Sequence, residues 1–488
     1  MRNAHTTQLP ALSRRELLER CGMGLGMLGL VGILADEGLL QAASVPDRAL
    51  NPMAPRPTHF APKAKRVVWL FINGGPSHMD TWDYKPELTK RHGQELEGFD
   101  KSTGFFTKEV GALLKSPFEF APRGQSGKLV SEIFPHLGKH VDRMAFIHSG
   151  LPGSNNHSPA LFMINSGQTR MGFPSLGSWV TYGLGSESRD LPGFVVMSDP
   201  KDRGLPKGSA SNWSAGFLPG AYQGTWLRPK GAPIQNLTPP SEMADVHQRS
   251  QLDLIASLNS RDLESNPLDQ ELAARIESFE LAYRMQAAAP EALDVDSEPA
   301  HIQELYGLHS ERCGHMARQC IMARRLLERD VRFVQIYSGG MQNQLAWDGH
   351  IDILGNHSQF AGETDQPFAA LITDLEQRGM LDDTLVIWGG EFGRLPVAQI
   401  GTAKPGRDHN PHCFTAWMAG GGIRGGTSYG ESDEIGFKAA VDPVSAHDFH
   451  ATILHLLGLD HERLTYTYNG RSYRLTDVEG EVLHKILA

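Results

Sequence analysis

Four short segments gather carboxylates, imidazoles and arginines between glycines. Asn73 is followed by Gly74-Gly75-Pro76-Ser77-His78-Met79-Asp80, and Trp347-Asp348-Gly349-His350 lies further along the chain. Gly389-Gly390-Glu391-Phe392-Gly393-Arg394 and Gly406-Arg407-Asp408-His409 complete the set. Neutral imidazoles beside carboxylates suit a borderline divalent ion such as Zn²⁺, whereas oxygen donors alone favour Ca²⁺ or Mg²⁺. Asp348, His350, Glu391 and His409 are therefore read as ligands of a divalent metal, Zn²⁺ or Ca²⁺/Mn²⁺. Arg394 and Arg407 are read as a clamp for an anionic substrate, held by charge-assisted hydrogen bonds. Each residue also has an ordinary role open to it. Asp348-Gly349-His350 can be a capped loop, Glu391 a helix-cap partner with Arg394 as its surface ion pair, and His409 a hydrogen-bonded loop histidine. His447, His450 and His455 stand at helical spacing beside Ile453 and Leu456, which assigns them to a helix rather than to the site.

Position is what favours the site. Arg66 to Asn73 is a continuous apolar run stopped by Gly74-Gly75-Pro76, the mark of a strand buried on both faces. Similar runs recur at Met144–His148, Phe194–Met197, Phe333–Tyr337, Thr384–Trp388 and Phe414–Met418. Between them lie helical patterns at Leu129–Leu137, Leu161–Leu184, Ala317–Leu327, Phe360–Arg378 and Ala446–Leu457. This alternation predicts an α/β fold, a mostly parallel sheet with helices on both faces. In such sheets, ligands bind beyond the carboxyl ends of the strands, where all four polar segments fall. Residues 199–300 break the rhythm and read as a polar insertion or cap, helical from Gln248 to Met285.

Composition agrees with a large folded domain. Apolar residues are 40% and charged residues 21% of 488, which excludes disorder, while 52 glycines and 30 prolines speak for many ordered loops. The net charge of −10 comes without a basic block, so nucleic acid is not expected as a partner. Four cysteines, Cys21, Cys313, Cys320 and Cys413, exclude a disulfide framework. Ser13-Arg14-Arg15-Glu16-Leu17-Leu18 precedes the glycine-rich apolar run Cys21 to Ala35, which falls short of the ~20 residues that span a bilayer. Residues 1–43 therefore read as a twin-arginine export signal, with the twin-arginine translocase as partner and no stable membrane span. The expected location is exported, periplasmic or cell-surface in a bacterium. Residues 44–64, rich in Pro and Ala, read as a linker.

Taken together, these motifs resemble an exported bacterial family, domain of unknown function 1501. The resemblance adds Ala419-Gly420-Gly421-Gly422, Ala451-Thr452-Ile453-Leu454 and Leu457-Gly458-Leu459 to the segments above, and runs from Arg66 to the C-terminus. That family looks like a branch of the alkaline phosphatase and sulfatase superfamily. It implies an alkaline-phosphatase-like domain over residues 65–488 and hydrolysis of phosphate or sulfate esters at one or two divalent ions. The first strand of that superfamily ends in a metal-binding Asp; here Asn73 stands there, and Asn73 or Asp80 is implied as a further oxygen ligand. The sulfatase nucleophile segment resembles His157-Ser158-Pro159-Ala160-Leu161, with a histidine in the nucleophile position and no arginine after it. Ser158 is therefore either a displaced nucleophile or the cap of a helix, and His157 a general acid or base. That role requires the His157 ring to approach Asp348 and Glu391. With no cysteine near the segment, formylglycine chemistry is disfavoured.

The expected function is an exported metal-dependent hydrolase of a small anionic ester or a sulfated or phosphorylated glycan. Its rival is a silent exported binding or scaffold protein that keeps the fold.

Overall fold

The computed structural model describes residues 51–488 except 230–231, 235–236, 238–244, 266–268 and 342. The expected export signal, residues 1–43, lies outside the described residues. Eight strands form the central sheet: β1 (Arg66–Ile72), β2 (Met144–Gly150), β3 (Phe194–Met197), β4 (Thr225–Leu227), β5 (Phe333–Ser338), β6 (Thr384–Gly389), β7 (Phe414–Ala419) and β8 (Thr427–Tyr429). Their order is β8-β2-β7-β6-β1-β5-β3-β4, and every neighbouring pair is parallel except the two made by β7. The fold is the expected mostly parallel α/β sheet.

Period-2 alternation splits each apolar strand between two cores. Val68, Leu70 and Ile72 of β1 face one core, covered by α5 (Gly314–Glu328) and α6 (Ile353–Gln377). Val67, Trp69 and Phe71 face the other, covered by α1 (His157–Ser166), α2 (Leu176–Leu184) and α7 (Ala446–Leu456). Two helices, α3 (Asp245–Ser265) and α4 (Gln270–Leu293), follow β4 within the region read as an insertion. That region also supplies the edge strand β4, so it joins the main sheet.

Two helical expectations are corrected. Leu129–Leu137 is a strand, Lys128–Ser131, hairpinned against Phe120–Arg123, followed by a short turn of 3₁₀ helix from Leu137. Leu161–Leu184 is two helices, because Gly167 ends α1 at φ +70° and Ser175 caps α2. Residues 51–64 hold no regular element yet are tied down. Met53 and Ala64 are buried, and Arg56 N–H donates to Leu184 O at 2.9 Å while Lys63 N–H donates to Leu456 O at 2.8 Å.

His450 of α7 is fully buried, donates from Nε2 to Ile164 O at 2.7 Å, and is pushed down to about 3 by burial. The unfolded chain takes up that proton near 6.5 and the native state does not. Its stabilisation is thus present above about pH 6.5 and is lost as pH falls towards about 3. Replacing His450 by Leu should flatten the stability–pH slope between pH 6.5 and 5 by ~1.4 kcal/mol per unit. Urea unfolding at several pH values measures it, and an unchanged slope would contradict the assignment.

Candidate metal centre

The strand tips meet through a few main-chain contacts. Trp347 N–H donates to Asn73 O at 3.0 Å, and its indole N–H donates to Ser338 Oγ at 3.1 Å, so the loop after β5 is pinned to the end of β1. The Gly74-Gly75 turn is gripped from both sides. Gly74 N–H donates to Glu391 at 2.9 Å, while the Arg394 guanidinium donates to the carbonyls of Gly74 and Gly75. Gly74 has φ +108°, and a Cβ there would lie 2.7 Å from Asp348 N, so no other residue fits this approach. Gly393–Arg394 pairs antiparallel with His409–Asn410, which brings His409 in beside them. From β2, the chain turns into α1 and delivers His157 at its first position.

His157, Asp348, His350 and His409 converge, each offering a ligand atom within 4.8 Å of the others, and all four are buried. Their outward nitrogens are anchored. Nδ1 of His157 faces Glu391 Oε1 at 2.8 Å, Nδ1 of His350 faces Gln399 Oε1 at 2.7 Å, and Nδ1 of His409 faces the carbonyl of Asn155 at 2.6 Å. All three outer partners are acceptors, so each Nδ1 can donate outward and leave its Nε2 free to ligate an ion at the centre. The amide of Gln399 is oriented by its own Nε2, which donates to Glu109 at 2.6 Å. Inside, Nε2 of His350 lies 2.9 Å from Nε2 of His409 and 2.9 Å from Asp348 Oδ1. Nε2 of His157 is 3.1 Å from Asp348 Oδ2 but makes no hydrogen bond. In that tautomer the Nε2 lone pairs and the Asp348 carboxylate converge on one point, where a cation would neutralise their repulsion. This is the arrangement in which metal-bound histidines are oriented by outer acceptors.

The charges of these groups are coupled. Burial would raise the Asp348 carboxyl, but the Arg394 guanidinium and the three imidazoles beside it hold it well below the ordinary range. Burial would lower His157, but Asp348 and Glu391 outweigh it and raise the imidazole; in His409 burial wins, and its pKa is driven well down.

Several expected residues are placed differently. Glu391, expected as a ligand, stands behind His157 as its acceptor. His157, expected as acid or base, reaches both Asp348 and Glu391 and lies among the ligand atoms. Neither oxygen candidate joins the set: Asn73 donates from Nδ2 to Gly340 O, and Asp80 is bound by Arg407 at 2.7 Å. The two arginines are closed off from solvent. Arg394 and Arg407 are each fully buried; Arg394 holds Asp348 at 2.6 Å and three carbonyls, and Arg407 holds Asp80 and the carbonyls of Leu114 and Leu395. Charge alone could not distinguish clamp from strut, because that depends on which carboxylate the fold sets beside each arginine. Ser158 is half-buried in the first turn of α1. Sequence reasoning missed Asn155 and Gln399, which act through a main-chain carbonyl in a loop and a side-chain amide at the end of the short strand Val397–Gln399, and carry no motif. No helix among the described residues is long and apolar enough to cross a membrane. Cys313, Cys320 and Cys413 are free and buried.

Three solved structures are similar over most of the chain. They are a lipoteichoic acid synthase from Listeria monocytogenes (10% identity, 89% of this chain and 80% of that one, TM-score 0.30) and a phosphonate monoester hydrolase from Silicibacter pomeroyi (10%, 88% and 76%, 0.37). The third is a sulfatase from Pseudoalteromonas sp. (11%, 82% and 68%, 0.34). Among curated proteins none matches the sequence. The model of one family, described as a protein of unknown function (DUF1501), matches residues 64–487, and the chain belongs to that family.

Proposed function

We propose that the protein is an exported metal-dependent hydrolase of an anionic ester, with one divalent ion held by His157, His350, His409 and Asp348. The supporting observation is the shared geometry: three Nδ1 atoms set against outer acceptors and three Nε2 atoms aimed at one carboxylate. Three imidazoles fit Zn²⁺, with Mn²⁺ second, and fit Ca²⁺ poorly. When bound, the ion supplies Lewis acidity towards an ester oxygen and lowers the pKa of water. The chain's own groups prepare the place. Glu391 fixes the His157 ring, and Arg394 keeps Asp348 ionised. Asn156 gives α1 no side-chain cap, so the first N–H groups of that helix favour an anion. A divalent ion and Arg394 would balance the carboxylates of Asp348, Glu391 and Asp408, and the substrate class we propose is a phosphate or sulfate ester, free or on a glycan, drawn to the ion itself.

A second reading has its own observation. Four buried protein ligands make a closed set, the pattern of a structural metal, and neither arginine is open to an anion. That describes a silent binding protein. A panel of aryl phosphate, phosphodiester and aryl sulfate on zinc-loaded protein separates the two. Turnover supports the hydrolase; no turnover, with no thermal shift from vanadate or sulfate, supports the silent protein. Within the hydrolase, Ser158→Ala should leave most turnover if water attacks and abolish it if Ser158 is the nucleophile.

The export part rests on Arg14-Arg15 before a weakly apolar run. Replacing both by Lys should strand the precursor in the cytoplasm, whereas blocking the Sec pathway should not. Normal secretion of the double variant would end that part of the reading.

A further inference from the structure

The groups that anchor His350 and His409 are also the groups that hold the segment covering them. Asn155 accepts from His409 with its carbonyl and donates from its side chain to the carbonyls of Thr103 and Gly104, both at 3.1 Å. Gln399 accepts from His350 and donates to Glu109, and Ile400 N–H donates to Glu109 O at 2.9 Å. Asp408 accepts from His409 N–H at 2.7 Å with one oxygen and from Phe106 N–H at 2.7 Å with the other. The segment so held lays its rings on the site. Phe106 stands edge-on to His350 with centroids 4.9 Å apart, and Phe105, half exposed, lies 5.8 Å from His409. Gly104 belongs to the fit, since a Cβ there would lie 2.3 Å from Asp408 Oδ2.

We infer that Thr103–Glu109 is the closure of the metal centre, and that Asn155, Gln399 and Asp408 are positioning residues that hold this segment with one set of atoms and the ligand histidines with another. Closing the segment and retaining the ion are then one event, and the segment must open for an ion or an ester to pass. Phe105 and Phe106 form the wall that an entering organic group meets. The inference rests on the proposed metal centre but asks a different question of it, about release rather than affinity or turnover.

The test is the rate at which the zinc-loaded protein loses zinc to excess chelator, followed with a chromophoric zinc indicator. Asn155→Ala removes the latch and leaves the carbonyl that orients His409; Phe106→Ala removes the cover and leaves every ligand. Each should still bind one zinc per chain and should release it about tenfold to a hundredfold faster, a change as large as the one that loss of an outer partner makes in a site's affinity or activity. Gln399→Glu keeps an acceptor for His350 while breaking the link to Glu109, and should also release faster. Should one variant fold poorly by circular dichroism, the others carry the comparison. Parent-like release from folded, zinc-loaded variants overturns the closure and leaves the metal centre standing. A parent chain that takes up no zinc overturns both.

Discussion

Asp348→Ala is expected to lose the ion and several kcal/mol of stability together. Its carboxylate is the one formal negative charge among the four converging groups, and it is also the counter-charge of a fully buried guanidinium. Removing one partner of a buried pair leaves an uncompensated charge, at a cost of about 3–5 kcal/mol. That part should persist in chelator. A second part exists only with zinc, because an ion bound to the native state adds stability that the unfolded chain lacks, about 4 kcal/mol at a thousandfold excess over the dissociation constant. His350→Ala separates the two. It removes a ligand but orphans no buried charge, and in metal-free protein it relieves the 2.9 Å contact between two inward ring nitrogens. It should therefore abolish the zinc-dependent rise in melting temperature while changing the metal-free protein far less than Asp348→Ala does. Equal losses with and without zinc for both variants would contradict this account.

Asp80→Ala is expected to destabilise the protein by about 3–5 kcal/mol without touching metal uptake in whatever fraction folds. Asp80 and Arg407 are each fully buried and pair through two contacts, 2.7 and 3.3 Å, in which the Arg407 guanidinium outweighs burial and lowers the Asp80 carboxyl. The double change Asp80→Leu with Arg407→Met should recover much of the loss, since replacing a whole buried pair by apolar groups is often close to neutral. If Arg407 instead clamped an anion, the stable double variant would lose the thermal shift given by vanadate or sulfate. An intact shift supports the strut, and chemical denaturation of the three proteins measures the rest.

Strands buried on both faces are continuous apolar runs ended by glycine pairs, so β1, β5 and β6 and the polar residues at their tips are legible in the sequence itself. Lys128–Ser131 is not, because a four-residue hairpin strand and one helical turn look alike in a short apolar pattern. Within the centre, Asp348, His350 and His409 are recognisable by residue type and place. Glu391, expected as a ligand, stands behind His157, and His157 lies among the converging atoms, because a carboxylate beside an imidazole can face the centre or orient the imidazole, and only geometry decides. Asn155 enters through its main chain, where residue identity carries no signal.

The central claim is that the four groups hold an ion, and zinc stoichiometry tests it most directly. Protein freed of metal and titrated with Zn²⁺ should take up one equivalent per chain with a rise in melting temperature, and His157→Ala and His409→Ala should each lose both. A parent chain that binds no zinc and gains no melting temperature, or one whose uptake survives both substitutions, would contradict the account.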